Sequence, residues 1–218
     1  MDKNKLQYID ISPLVSSKTA VYPQDTPFSR KVELSFSSGD KLELSSMTTS
    51  LHIGAHTDAP NHYKKGLPGI DQRDLSFYLG PCQVIEVKAK RGERINIEHL
   101  GNTKISTERV LLKTSSFPNP DQWNEDFNSY SPELVEYLYE KKVILVGIDT
   151  PSIDPANSIN LESHQVVAKN DMSILEGIVL DNVPPGEYIL CALPLRLKDC
   201  DASPVRAILL GARQPLGL

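Results

Sequence analysis

The chain has 218 residues, 39% of them hydrophobic and 23% charged, which suits one sizeable core and lies far from disordered composition. A net charge of −5, with no Lys/Arg run, argues against binding to nucleic acid or to an anionic membrane. No apolar run approaches the ~18 residues that span a bilayer, and the opening "MDKNKLQYIDISPL" is charged without an apolar signal core, so a cytoplasmic protein is expected.

In chain order, strand-like runs appear at "KVELSFSS", "KLELSSMTTSLHI", "CQVIEVKA" and "RVLLKTS". "SPELVEYLYEKK" then reads as a helix, with Ser131 as N-cap, Pro132 in the first turn and Glu133 nearby. "KVILVGID" returns to strand, and its apolar run is too continuous for a half-exposed one, so both faces should be buried. "LESHQVVAKNDM" is a second, shorter helix, and "EYILCALPL" and "PVRAILL" are strands again. Sixteen prolines and twelve glycines are scattered without forming a linker, and no internal repeat is visible. The expectation is a strand-dominated α/β fold in a single domain over residues 1–218. Cys82, Cys191 and Cys200 form neither an even framework nor a CxxC pair, and Cys82 and Cys191, in apolar runs, should be buried thiols.

The stretch "SLHIGAHTDAPNHY", residues 50–63, concentrates three of the five histidines. On a helix of about 100° per residue, His52 and His56 share a face while Asp58 points away. On an extended strand, His52, Gly54, His56 and Asp58 all face one side. The preceding "LELSSMTTS" favours the strand, with Gly54 leaving open space and Pro60 ending the ladder so that His62 returns to the rim. Two imidazoles and a carboxylate on one point suit a borderline divalent cation such as zinc, against the plainer reading of hydrogen-bonded histidines on a polar face. No HExxH pattern is present.

Two further residues matter. Glu176, within "SILEGIVL", should be buried, and a buried carboxylate needs a partner or a metal. His164 alone would be an ordinary helix residue. Should both reach the first cluster, three histidines and two carboxylates suffice for two metals, with His62 free for proton transfer. His99, in "INIEHLG", reads as structural or exposed.

These residues resemble the HxGTHxDxPxH signature of the metal-dependent cyclase/hydrolase family, with Ala55 where threonine is usual. The likeness is strongest to the bacterial kynurenine formamidase (arylformamidase) branch. It runs through "DISPLVSSKTAVYPQDTPF", "GIDTPSIDP", "ESHQVV", "ILEGIVLDNVPPGEY" and "ALPLRLKDCDASPVRAIL", nearly the whole chain. The resemblance implies a swivelling β/β/α (cyclase-like) fold in a homo-oligomer, dimer or tetramer. It implies two Zn2+ per subunit, with Mn2+ possible: His52, His56 and Asp58 on the first, Asp58 and Glu176 bridging to the second, and His164 completing it. His62 matches the proton donor/acceptor. Tyr22 stands where tryptophan usually contacts the aromatic substrate.

The implied reaction is hydrolysis of N-formyl-L-kynurenine to L-kynurenine and formate in tryptophan catabolism, by a zinc-activated hydroxide with a histidine proton shuttle. Action on another aryl or cyclic amide, such as isatin, is the alternative. A non-catalytic metal-binding protein is a third reading, against which His62, lying outside the ligand set, argues. No GxSxG elbow, phosphate-binding loop or dinucleotide fingerprint occurs, which disfavours serine-hydrolase chemistry and nucleotide cofactors.

Overall fold

A computed structural model describes residues 7–211; residues 1–6 of the charged opening and residues 212–218 lie outside it. In chain order the elements are β1 (Tyr8–Asp10), β2 (Ser29–Leu34), β3 (Leu44–Thr48), β4 (His56–Asp58), α1 (Pro60–Tyr63), β5 (Leu79–Glu86), β6 (Arg94–Ile95), β7 (Arg109–Lys113) and β8 (Ser129–Tyr130). There follow α2 (Pro132–Glu140), β9 (Leu145–Ile148), α3 (Glu162–Lys169), β10 (Ser173–Leu175), β11 (Gly186–Cys191), β12 (Ala202–Pro204) and β13 (Ile208–Gly211). Seven of these strands form one mixed sheet in the order β1-β13-β11-β5-β7-β9-β10. β5, β7, β9 and β10 run parallel, and β11, β13 and β1 extend the sheet antiparallel.

The parallel strands divide their side chains between two cores with a period of two. Val110 and Leu112 of β7, Val146 and Ile148 of β9 and Ile174 of β10 meet Leu134, Val135 and Leu138 of α2 and Val167 of α3. The alternate residues Leu111, Leu145 and Leu175 pack on the opposite face with Ile11, Tyr78, Leu190 and Leu209. Every residue of β9 is buried, as its continuous apolar run predicts. The helix α2 starts where expected: Leu134 N–H donates to the Ser131 side chain at 3.1 Å, and Pro132 occupies the first turn, where its missing N–H costs nothing. No helix among the described residues is long and apolar enough to cross a membrane.

Three expectations need correction. The run "KLELSSMTTSLHI" is not one strand: β3 ends at Thr48, and residues 51–55 bend. "PVRAILL" is split, because Pro204, without an N–H, closes β12 and β13 begins only at Ile208. Cys82 is fully buried, but Cys191, at the end of β11, is partly exposed.

Among the described residues β2 and β3 pair only with each other, as an antiparallel ribbon. One face is polar: Glu33 bonds Lys31 at 3.0 Å and accepts from Ser46 at 3.1 Å. The other carries Arg30 and Ser45 with Val32 and Met47, and both of these apolar side chains are exposed.

The site is positioned by the two-stranded pair β4–β12. His56 and Glu176 exchange backbone hydrogen bonds of 3.1 and 2.9 Å, and Thr57 Oγ1 donates to the Ile174 carbonyl at 2.6 Å, which ties β4 to the end of β10. Gly177 follows with φ +63°, and a Cβ there would collide with the Gly54 carbonyl. Gly177→Ala is expected to lower stability by about 3 kcal/mol or more, from the left-handed strain and the backbone clash together. Urea unfolding checks it; a midpoint unchanged from the parent overturns this account of the junction.

Candidate metal centre

His56 and Asp58, two apart on β4, point to one side and are buried at 2% and 1% exposure. The extended-strand expectation holds for these two alone. His52 reaches the cluster from a bend, because Gly54 adopts a left-handed φ of +56° and breaks the strand. Nor does Gly54 leave open space: a Cβ there would press on Val15 and Pro13 at 3.1 and 3.2 Å. Glycine is required by the backbone conformation and by this close packing.

Each of the three inner imidazoles has one nitrogen held by an oxygen and the other turned inward. His56 Nδ1 lies 2.9 Å from the Gly54 carbonyl, which can only accept, so Nδ1 carries a proton and Nε2 is turned toward the cluster. His164, in the first turn of α3, has Nδ1 2.7 Å from Asp154 Oδ2, and Nε2 faces Asp58 and Glu176 at 3.4 and 3.7 Å. His52 has Nε2 2.9 Å from Asp201 Oδ2 and Nδ1 3.0 Å from Asp58 Oδ1. An oxygen acceptor behind a histidine, with the second nitrogen free, is the usual support of a metal-ligating imidazole.

Glu176 is buried; its Oε1 accepts from the Ile153 N–H at 2.6 Å, and its Oε2 lies 3.1 Å from His56 Nε2. Three groups of possible ligands result, each with its ligand atoms within 4.8 Å of one another: His52–His56–Asp58 and Asp58–His164–Glu176, which are joined through Asp58, and His52–His62–Asp201 at the rim. The His52 and His164 contacts to Asp58 are short but lack hydrogen-bonding geometry, as does that of His56 to Glu176. Both Asp58 oxygens and His56 Nε2 are therefore buried without a hydrogen-bond partner. Buried polar atoms are rarely left so, and a nitrogen/oxygen donor set of this kind fits a divalent cation.

The charges agree with that donor set. Burial opposes ionisation of Asp58, yet His52, His164 and His62 hold its carboxyl well below the usual range. Burial would lower His52, but Asp58, Asp201 and Glu176 outweigh it and raise the imidazole to about 11. His164, likewise opposed by burial, is raised to about 10 by Asp154, Asp58 and Glu176. Asp154 is pulled down to about 2 against its own burial by the His164 ring and by the N–H groups of Ser163 and His164. Those two N–H groups belong to the start of α3, so Asp154 both caps the helix and orients the His164 ring it carries.

His62, on α1, stands at the rim with about a third of its side chain exposed, its ring centroid 4.2 Å from that of His52 and Nδ1 3.7 Å from Asp201. Burial is the largest influence on it and pushes its pKa below the ordinary value, although Asp58 pulls the other way. The cluster opens into a cavity of about 520 Å3 lined also by Tyr22, Phe117 and Trp123. Tyr22, whose hydroxyl donates to the Ala156 carbonyl, lies at its mouth. His99 stays apart in a capping box, accepting from the Asn96 N–H at 2.9 Å, a structural role as expected. Sequence reading missed Asp154, Asp201 and Trp123. The first two lie inside the blocks "IDTPSIDP" and "LKDCDASPVRAIL", where an acid spaced like any surface acid carries no mark of the histidine it supports.

The family profile described as "Putative cyclase" matches residues 9–155. The chain belongs to the cyclase family. Among its relatives, the kynurenine formamidase of Bordetella petrii is 46% identical over 201 residues, covering 92% of this chain and 96% of that one. The kynurenine formamidase of Delftia acidovorans is 43% identical, with 92% and 95% covered. A solved structure described as a "Potential Metal-Dependent Hydrolase With Cyclase Activity" superposes with a TM-score of 0.83 at 25% identity, over 97% of this chain and 100% of that chain. Isatin hydrolase A from Labrenzia aggregata, at a TM-score of 0.81 and 20% identity over 95% and 94%, shares the fold. The expected strand-dominated α/β architecture is thus that of the cyclase family.

With His52 and His164 held protonated, their contribution to stability is complete below about pH 6.5 and is lost as pH rises through 10 to 11. Chelator-treated protein is expected to show a Tm that falls steadily from pH 6.5 to 10. A flat Tm across that window overturns the charged-histidine assignment.

Proposed function

We propose that this cyclase-family member hydrolyses N-formyl-L-kynurenine to L-kynurenine and formate, with two divalent cations per subunit, Zn2+ or alternatively Mn2+. The observation that carries the reading is buried Asp58, whose two unpartnered oxygens belong to two triads of metal-binding type. Kynurenine formamidases at 43–46% identity support the substrate, whereas the likeness to isatin hydrolase is one of fold.

His52, His56 and Asp58 would hold one ion, and Asp58, His164 and Glu176 the other. When bound, such ions act as Lewis acids and make water a nucleophile near neutral pH. The anilide nitrogen of the substrate is a poor leaving anion, so breaking its bond to the formyl carbon needs a proton delivered to that nitrogen. His62 is the catalytic residue for this. Burial keeps its ring neutral at pH 7, ready to take a proton from the attacking water and pass it to the nitrogen. Asp201, 3.7 Å from Nδ1, places a negative charge beside the ring that favours it while it carries that proton. Tyr22 offers the substrate ring a flat face at the mouth.

His62→Ala is expected to keep its metal and lose at least ~100-fold in turnover, the lower range for general acid–base groups. His164→Ala and Glu176→Ala should instead lower the zinc bound per subunit, read by elemental analysis after dialysis. Full activity in the first variant removes His62 from the mechanism, and unchanged stoichiometry in the others breaks the two-metal assignment. Turnover of N-formylkynurenine against isatin separates the two substrates.

The same reading makes the protein a cytoplasmic homo-oligomer. Three free thiols suit a reducing compartment. An isolated two-stranded ribbon is marginal in water, and the exposed Val32 and Met47 on one face of β2–β3 support a second copy as its cover. The double variant Val32→Glu, Met47→Glu should run as a folded monomer in size-exclusion chromatography with light scattering. An oligomer of unchanged mass overturns the ribbon's role.

A further inference from the structure

The chain's single tryptophan, Trp123, stands in the wall of the same cavity as the histidine cluster. Its ring meets Tyr22 edge-on, with centroids 5.2 Å apart and planes at 75°. Phe127 and Phe117 brace it from behind and beside, at 6.0 and 6.2 Å, and Phe127 is fully buried. The segment carrying Trp123 is itself anchored: the Asn128 N–H donates to Ser116 Oγ at 2.8 Å, and the Asn128 side chain donates to the Glu93 carbonyl at 2.9 Å. The Ala20 N–H donates to the Pro120 carbonyl at 2.9 Å, which joins the Tyr22 segment to the Trp123 segment. The two aromatic rings are thus one built surface, drawn from loops a hundred residues apart and aimed at the space above the metal ligands.

We infer that Trp123, paired with Tyr22, is the specificity-determining residue that selects aryl over aliphatic formamides. Tyr22 alone is nearly half exposed and covers one side of the mouth. Trp123 adds the larger, better-braced face, and aromatic pairs in edge or offset contact gain beyond the area they bury. An aryl ring docked there leaves its formamide directed at the centre, whereas an aliphatic chain loses that contact and its orientation. The inference rests on the formamidase reading for its reaction, but the binding surface can be tested separately.

As the sole indole, Trp123 makes intrinsic tryptophan fluorescence a direct reporter of this wall. Titration with L-kynurenine should quench it saturably, and L-alanine at equal concentration should not. In steady state, Trp123→Leu should raise KM for N-formylkynurenine about tenfold, with kcat changed less than about twofold, and Trp123→Phe should recover most of that loss. Absence of saturable quenching in a wild-type enzyme that turns over N-formylkynurenine overturns the inference. So does a folded Trp123→Leu protein with unchanged KM. If the wild type does not hydrolyse N-formylkynurenine, the formamidase reading falls, and the contrast between kynurenine and alanine quenching still decides what Trp123 binds.

Discussion

The carboxylate of Asp58, buried among imidazoles, is the constraint on which the rest of this structure depends. An ionised carboxyl at 1% exposure is sustained only where opposite charge or an ion compensates the lost hydration. Three imidazoles approach it, from a bend, from its own strand and from a helix, and Glu176 closes the far side. Each approach is fixed from behind, by the Gly54 carbonyl, Asp201 or Asp154, so the ligands are set in place by hydrogen bonds to their outer nitrogens or backbone.

That arrangement explains the odd local structure around it. A three-residue strand such as β4 has too little ladder to stand alone, and it is held by β12 on one side and by the His56–Glu176 backbone pair on the other. Glu176 lies just past the carboxyl end of β10 and Asp149 just past that of β9, where open parallel sheets generally present their ligand sites. The tight Gly54–Gly177 approach lets these two segments close on each other, which a side chain at Gly177 would prevent.

Chemistry and recognition sit on different kinds of support. The proposed cation ligands are buried and tied to the sheet, which suits groups that must keep their distances. Tyr22 and Trp123 belong to loops lining the cavity, a placement that suits the recognition proposed for them because loop side chains can vary without disturbing the centre. His62 lies between the two, on a one-turn helix at the rim, packed against the His52 ring and open to the cavity.

Much of this was legible in residue order. The β7 and β9 runs, the Ser131 cap of α2, and the clustering of His52, His56, Asp58 and His62 follow from periodicity, capping chemistry and composition, all of them local. Burial of Glu176 followed from its apolar neighbours. What tertiary structure alone decided is how His52 arrives, since the break at Gly54 is packed against Val15 and Pro13, about forty residues earlier. It also decided that Asp154, Asp201 and Trp123 face the centre or its mouth. Their partners lie ten to about a hundred and fifty positions away, and one-dimensional spacing carries no record of contacts that exist only once distant backbone segments have been brought together by a common core.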